Sequence, residues 1–375
     1  MKKKKIVFFI YRLGGGGAAR TILNIVNHLD RTAFEPILVT LNFTYNYEQY
    51  VHHDVKFVKL PTKRLRSSII PLAKLIRDER PDLVFSTIPT YNTVAILAKL
   101  LSFTHTKLIV REAAFLGGTW KENLKLKIYG MLYRLSDRVI ALSNGVKENL
   151  VKRYGVKREQ IIVIYNPVDL KHIRQQSELE IPNEYRKDNK FIVTAGRLVP
   201  EKDQKTLIRA FAKISDTTNS ELIILGEGEL EETLKTLAKD LNIQDKVHFV
   251  GFRKNPYAYF KHADLFVLTS INEGFGHVFV EAMTTGTPIV STRCKPGAEE
   301  VLQNGDYGRL SNVGDVDDLA RNMEEVLTLN DKMRVEMIQN GFKRAEQFNV
   351  NTIIKQYEDV FLATIEQGQT KLVDR

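Results

Sequence analysis

A chain of 375 residues is long for one hydrophobic core and comfortable for two. Its 43% hydrophobic and 27% charged residues are ordinary for a soluble globular protein, and its single cysteine, Cys294, excludes a disulfide framework and a cysteine-based metal cluster. The net charge of +10 is uneven: residues 1–170 hold 28 Lys and Arg against 13 Asp and Glu (+15), and the remainder holds 27 against 32 (−5). A basic half invites an anionic partner, whether nucleic acid, phosphorylated substrate or acidic lipid, unless its lysines serve only solubility.

The basic start at residues 2–5 precedes an apolar run, 6–10, that is too short for a signal peptide. No stretch approaches the roughly 20 apolar residues of a membrane span. The expected location is therefore cytoplasmic. Residues 6–10 read as a buried strand, Gly14 to Gly17 as a loop, and Ile22, Leu23, Ile25, Val26 and Leu29 as one face of a helix. Strand, glycine loop and helix form a phosphate-binding layout, with Gly16 and Gly17 as its candidate phosphate-binding residues. The loop lacks the Lys-Ser/Thr of a P-loop. Asn42 stands after the second strand, 37–41, where a dinucleotide fold places an acid for the ribose.

Short apolar runs at 56–60, 83–86, 108–110, 139–142 and 161–164 alternate with amphipathic segments, the mark of a parallel sheet covered on both faces. The basic loop at 63–66 reads as solvated. Arg111 and Glu112 follow the strand at 108–110, and the end of a parallel strand is where ligands bind, so both are candidate site residues. Residues 120–135 predict a helix with Trp120, Leu124, Ile128, Met131, Leu132 and Leu135 on one side. That side is expected to face the core, with Lys121 and Lys125 on a solvated basic face. The alternative is a helix lying on a membrane or anionic acceptor, with Lys121 and Lys125 on the acceptor side.

The first domain is expected to span residues 1–169, closing on Tyr165-Asn166-Pro167-Val168-Asp169. A polar linker, 170–190, follows. The second domain is expected at 191–352, and the amphipathic segment 353–375 as a helix returning to the first. In the second half, the strand 191–195 leads to Gly196-Arg197-Leu198-Val199-Pro200-Glu201-Lys202-Asp203, with Asp203 placed to cap the next helix. Arg197 and Lys202 thus project at the carboxyl edge of a sheet, where a diphosphate would neutralise them; a salt bridge to Glu201 would do so too. Strands follow at 221–225, closed by Gly226-Glu227-Gly228, and at 247–250. His248 reads as a satisfied strand histidine.

The most informative stretch, 270–292, follows the buried strand 265–268. Glu273, Gly274, Phe275, Gly276 and His277 lead into a helix carrying Glu281. A helix N-terminus at a sheet's carboxyl edge is an anion site. Eight residues at helical rise would set Glu273 and Glu281 roughly 12 Å apart. Glu-x7-Glu around Gly-Phe-Gly, followed by Ala282-Met283-x-x-Gly286-x-Pro288-Ile289-Val290, closely resembles the donor site of the family 4 retaining glycosyltransferases. Gly196-Arg197-Leu198-x-x-x-Lys202, Gly226-Glu227-Gly228 and Asn166-Pro167-Val168-Asp169 match further motifs of that family.

The resemblance implies the GT-B fold, two Rossmann-like doubly wound α/β domains facing a cleft. It also implies transfer of a hexose from a nucleotide diphosphate sugar, a UDP-sugar favoured, to a glycan or lipid-linked hydroxyl with retention. Arg197, Lys202 and the N–H groups of residues 274–277 would hold the diphosphate, Glu273 the sugar and Glu281 the ribose. Backbone groups near Val250 and Phe252 would read the base, although Phe252 reads equally as core. Relatives place a histidine near Arg111 and Glu112, and a glutamate where Ala19 stands in Gly16-Gly17-Ala18-Ala19-Arg20, so this chain departs from the pattern at both points. No cofactor and no metal are expected. The expected partners are the donor, the acceptor and an anionic surface on the inner face of the membrane, and not nucleic acid. A GT-B-fold epimerase and a non-catalytic partner subunit are the alternatives.

Overall fold

The computed structural model describes residues 2–14, 17–44, 46–181 and 189–373. The chain divides into two compact units, Met1–Pro167 with Val350–Arg375, and Val168–Asn349.

Apolar runs buried on both faces form the strands of the first unit: β1 (Lys4–Phe9), β2 (Phe34–Leu41), β3 (Lys56–Leu60), β4 (Leu83–Thr87), β5 (Lys107–Glu112), β6 (Arg138–Ala141) and β7 (Ile161–Val163). They pair in parallel in the order β3-β2-β1-β4-β5-β6-β7, with Ile6 in register with Pro36 on one side and Leu83 on the other. The helices α1 (Gly17–His28), α2 (Ile69–Glu79), α3 (Pro89–Ser102), α4 (Trp120–Tyr133) and α5 (Asn144–Asn149) belong to the same unit.

The second unit repeats the plan with β8 (Lys190–Ala195), β9 (Ser220–Leu225), β10 (Val247–Gly251), β11 (Leu265–Leu268), β12 (Asn272–Glu273), β13 (Ile289–Thr292), β14 (Lys295–Pro296) and β15 (Arg309–Ser311). Six strands form a parallel sheet, β10-β9-β8-β11-β13-β15, and the short strands β12 and β14 pair with each other. In both sheets the order reverses beside the first strand, at β1/β4 and at β8/β11, which is the doubly wound arrangement. The helices here are α6 (Leu170–Ser177), α7 (Gln204–Ile214), α8 (Glu231–Asp240), α9 (Tyr257–His262), α10 (His277–Thr285), α11 (Gly297–Val301), α12 (Val316–Leu327) and α13 (Asp331–Glu346). Asp203 accepts from the Thr206 amide at the start of α7, as its position after the strand loop predicts.

Within the stretch 170–190, Leu170–Ser177 forms α6, which buries Leu170 and Ile173 and leaves Lys171 and Arg174 in solvent. Residues 182–188 lie outside the described residues. The last helix, α14 (Val350–Val373), belongs to the first unit. Its Val350, Ile353, Ile354, Tyr357, Phe361 and Ile365 recur at helical spacing and join that unit's core. Phe361 meets Phe8 and Phe85 with ring centroids 6.1 and 5.6 Å apart.

The helix α4 turns the other way from expectation. Leu126, Gly130 and Tyr133 are buried, while Trp120, Leu124, Ile128, Met131 and Leu135 are exposed. Two of the three inward positions are taken by a glycine and a tyrosine, which periodicity of large aliphatic residues does not register.

Candidate active site

Lys202 and Glu273 come from the two loops at the switch point of the second sheet. Lys202 ends a short helical turn after β8, and Glu273 lies on β12 after β11. Strands β8 and β11 are hydrogen-bonded neighbours, so their loops open at one place on the sheet's carboxyl edge. The Lys202 ammonium donates to Glu273 Oε1, and the buried Ser270 hydroxyl donates to the same oxygen at 3.0 Å. Glu201, the other partner open to Lys202, is exposed, and its carbonyl accepts from the Ile271 amide at 2.9 Å.

Arg197 is exposed, and among the described residues its guanidinium has no hydrogen bond or ion pair; its carbonyl accepts from Gln204 Nε2 at 2.9 Å. The loop that carries it rests on Gly226-Glu227-Gly228. A Cβ on Gly226 would lie 1.9 Å from the Gly196 carbonyl oxygen, and one on Gly228 2.3 Å from that of Leu198. Side chains are therefore excluded at both positions, and the Leu198 amide donates to the Glu227 carbonyl at 3.0 Å. The Glu227 carboxylate in turn accepts from the Phe252 amide at 3.3 Å. Phe252 is 60% exposed, which overturns the core reading for that ring, whereas Val250 is buried.

Beyond Glu273, Gly274 and the buried Phe275 lead to Gly276, which caps α10 in the left-handed region. The N–H groups of the first turn point out of the helix at its positive end. His277 is the first residue of α10, and Glu281 lies buried in its second turn. Residues 274–276 are outside the helix, so eight steps of helical rise do not describe the separation of the two glutamates. His248 Nε2 sits 2.7 Å from Glu221 Oε2, a satisfied strand pair as its sequence context predicts. Cys294 is buried, and burial pushes its thiol up to about 12, so it is no nucleophile.

In the first unit, Gly17 opens α1 and its carbonyl accepts from the Thr21 hydroxyl; Gly16 lies outside the described residues. Arg111 and Glu112, at the end of β5, are both fully buried, and their side chains turn to different partners. Arg111 donates to Thr87 at 3.2 Å, to the Tyr357 hydroxyl at 3.1 Å and to Asn166. It thereby ties β4, α14 and the Asn166-Pro167 segment to one point. Beside it, Ile88 holds φ at +77°, a strained conformation for a β-branched residue, with its amide donating to the Arg111 carbonyl at 3.2 Å.

Glu112 Oε2 accepts from the Tyr133 and Tyr154 hydroxyls at 3.0 and 3.2 Å, and Oε1 from the Ala113 and Ala114 amides at 3.0 and 3.1 Å. Burial outweighs these donors and pushes the carboxyl group up to about 7. The sequence marked Arg111 and Glu112 by their place at a strand end but carried no sign of Tyr133, Tyr154, Asn166 or Ser270, whose roles arise from contacts across the fold.

Lys121 and Lys125 lie exposed on α4, over the rings of Trp120 and Tyr129. Among the described residues, no group of three or more His, Cys, Asp or Glu side chains is placed to hold a metal ion, and no helix is long and apolar enough to cross a membrane.

Two parallel doubly wound sheets, the second with a Lys–Glu pair and a helix N-terminus at its switch point, make a pair of Rossmann-like units. The sequence profile of glycosyl transferases group 1 matches residues 174–344, and that of Glycosyltransferase Family 4 matches residues 15–172. The chain belongs to the family 4 glycosyltransferases, and its fold is GT-B.

Among its relatives is the N-acetylgalactosamine-N,N'-diacetylbacillosaminyl-diphospho-undecaprenol 4-alpha-N-acetylgalactosaminyltransferase of Campylobacter jejuni. It is 29% identical over 364 residues, covering 92% of this chain and 96% of the relative. The lipopolysaccharide 1,6-galactosyltransferase of Salmonella typhimurium is 24% identical over 355 residues, covering 91% and 94%. The structure of Anabaena HepE in complex with UDP aligns with a TM-score of 0.81 at 23% identity, over 96% of this chain and 100% of that one. A glycosyltransferase from Rickettsia africae aligns at 0.83 with 17% identity, over 97% and 99%.

Proposed function

We propose that this glycosyltransferase moves a hexose from a UDP-sugar to a hydroxyl of a glycan or lipid-linked acceptor with retention at the anomeric carbon, and without a metal. The observation that carries the reading is the Lys202–Glu273 pair beside the unpartnered Arg197 at the β8/β11 switch point. A diphosphate offers Lys202 and Arg197 the counter-charge that they lack or find in Glu273. As it takes Lys202, Glu273 is released to accept from sugar hydroxyls and to face the positive charge developing at the anomeric centre. The growing charge on the leaving diphosphate falls on Arg197, Lys202 and the backbone N–H groups of Gly274, Phe275, Gly276 and His277 leading into α10. Glu281 holds the ribose hydroxyls, and backbone groups by Val250 and Phe252 meet the base.

The UDP-sugar is supported by the UDP held in Anabaena HepE, and a lipid-linked or glycan acceptor by the names of the Campylobacter and Salmonella relatives. Lys121 and Lys125 lie on the acceptor side, toward an anionic membrane surface on the cytoplasmic leaflet. Incubating the protein with a panel of nucleotide sugars and following slow donor hydrolysis tests the reading. Release of UDP from one UDP-hexose, abolished in Lys202→Ala, is expected. Absence of hydrolysis and of UDP binding across the panel would count against it and favour a partner subunit that does not turn over. Interconversion of the sugar without UDP release would mark an epimerase.

A further inference from the structure

Trp120, Leu124, Ile128, Met131 and Leu135 occupy positions i, i+4, i+8, i+11 and i+15 along α4 and the turn just past its C-cap, and each is between 52% and 71% exposed. At 3.6 residues per turn they fall in one stripe about 80° wide. Opposite lie Leu126, Gly130 and Tyr133, which hold the helix to its unit. A Cβ on Gly130 would lie 1.8 Å from the Tyr154 carbonyl oxygen, so the helix is seated against that backbone as closely as possible. The outer stripe therefore contributes nothing to the unit's own core.

Its borders are basic. The same helical spacing sets Lys121 and Lys125 along one side of the stripe and Lys127 along the other, all exposed. The one carboxylate of the helix, Glu122, is engaged in the cap, accepting from the Thr119 amide at 3.0 Å. A narrow apolar stripe, a tryptophan at one end and lysines on both sides match a bilayer interface, where apolar side chains enter the acyl boundary and lysines reach anionic headgroups. The +15 balance of residues 1–170 favours the same surface.

We propose that α4 is an interfacial membrane helix whose outer stripe, Trp120, Leu124, Ile128, Met131 and Leu135, inserts into an anionic bilayer. This rests on the reading of a lipid-linked acceptor and deepens it, because binding is by insertion and not by lysine charge alone. Insertion brings the first unit to the depth of the headgroups, where a lipid-borne phosphate and its first sugar reside.

Trp120 is the sole tryptophan of the chain, so its fluorescence reports on this stripe alone. Vesicles of phosphatidylcholine and phosphatidylglycerol, roughly two to one, should shift its emission to the blue, and brominated acyl chains should quench it. The double variant Leu124→Gln, Ile128→Gln removes two exposed apolar groups. It should bind these vesicles about tenfold more weakly or worse, with melting temperature and donor hydrolysis in solution unchanged.

High salt should leave part of the binding by the unaltered protein, since insertion is not screened. Complete release by salt with no quenching by brominated lipid would confine binding to the lysines and overturn the proposal. A blue shift that depends on protein concentration without vesicles would mean that a second copy covers the stripe, and would also overturn it. Vesicle insertion with neither UDP-sugar hydrolysis nor UDP binding would leave the proposal standing and count against the transferase reading.

Discussion

Lys202 and Glu273 neutralise each other in the structure, and on the proposed mechanism the donor separates them. Arg197→Ala and Lys202→Ala should therefore lower kcat more than they raise the donor KM, because the leaving-group charge is greatest in the transition state. Steady-state kinetics with the preferred donor reads this directly, and full kcat in both variants would remove the diphosphate assignment. Activity should persist in EDTA; complete loss, restored by Mn²⁺ or Mg²⁺, would show that a metal carries that charge. Glu281→Ala should weaken nucleotide binding by roughly 1.5–3 kcal/mol, the range for a hydrogen bond to a charged group, as measured by calorimetric titration.

Glu112 supplies a pH test of stability. An ordinary glutamate titrates near 4.5, whereas burial pushes Glu112 up to about 7. Between those values the folded chain keeps a proton that the unfolded chain has released, so the stability linked to this group is present below the lower value and lost as pH rises through the higher. The loss amounts to roughly 3 kcal/mol at most. Glu112→Gln cannot ionise, so its melting temperature should gain on that of the unaltered protein as the pH rises from about 5 to about 8. A constant difference across that range would mean that Glu112 is not protonated in the fold at low pH.

The loops after β8 and β9 meet through Gly226, and that contact fixes where Arg197 stands. Gly226→Ala should place a methyl group against the Gly196 carbonyl at a backbone angle that alanine resists. A cost of about 3 kcal/mol or more is expected in chemical denaturation, together with weaker UDP binding. On α4, replacing Lys121 and Lys125 by glutamine should reduce affinity for anionic vesicles by about 1 kcal/mol per lysine at low salt and leave neutral vesicles unaffected.

These elements were legible to different degrees. Parallel strands such as Phe191 to Ala195 are buried on both faces, so each reads as an uninterrupted apolar run, and the glycines at their ends mark the loops. The loops that carry Lys202 and Glu273 were legible as sheet-edge loops because their glycines and charged residues are concentrated in short motifs. The orientation of α4 was not. Its outer stripe carries the large aliphatic residues, and its inner face relies on Gly130 and on the Tyr133 hydroxyl, which reaches Glu112. Arg111 was legible as a strand-end residue, but its partners Asn166 and Tyr357 lie 55 and 246 positions away, beyond any local pattern.

Taken as a molecule, the chain separates its charges as it separates its units. The positive balance lies in residues 1–170, and the mildly negative remainder contains the loops of Arg197, Lys202 and Glu273 and a core of its own in residues 168–349. A chain comprising 168–349 alone should melt cooperatively and bind UDP, because Arg197, Lys202, Glu273 and Glu281 all lie within it. It should show no catalysed transfer to an acceptor. Cooperative melting without UDP binding would show that the first unit contributes to holding the nucleotide.

The helix α14 has a consequence for how the protein is made. It covers Phe8 and Phe85 of the first sheet, yet it is translated only after residues 168–349. On the ribosome the usual order, in which the earlier domain matures first, is therefore reversed. The second unit has its complete sequence while the first still lacks the rings of Tyr357 and Phe361. At about 5–20 residues per second, synthesis of residues 168–349 delays that helix by roughly ten seconds or more. For that time one face of the nascent sheet stays uncovered, a surface suited to chaperone capture, and the earliest-made strands wait for the latest-made helix to close over them.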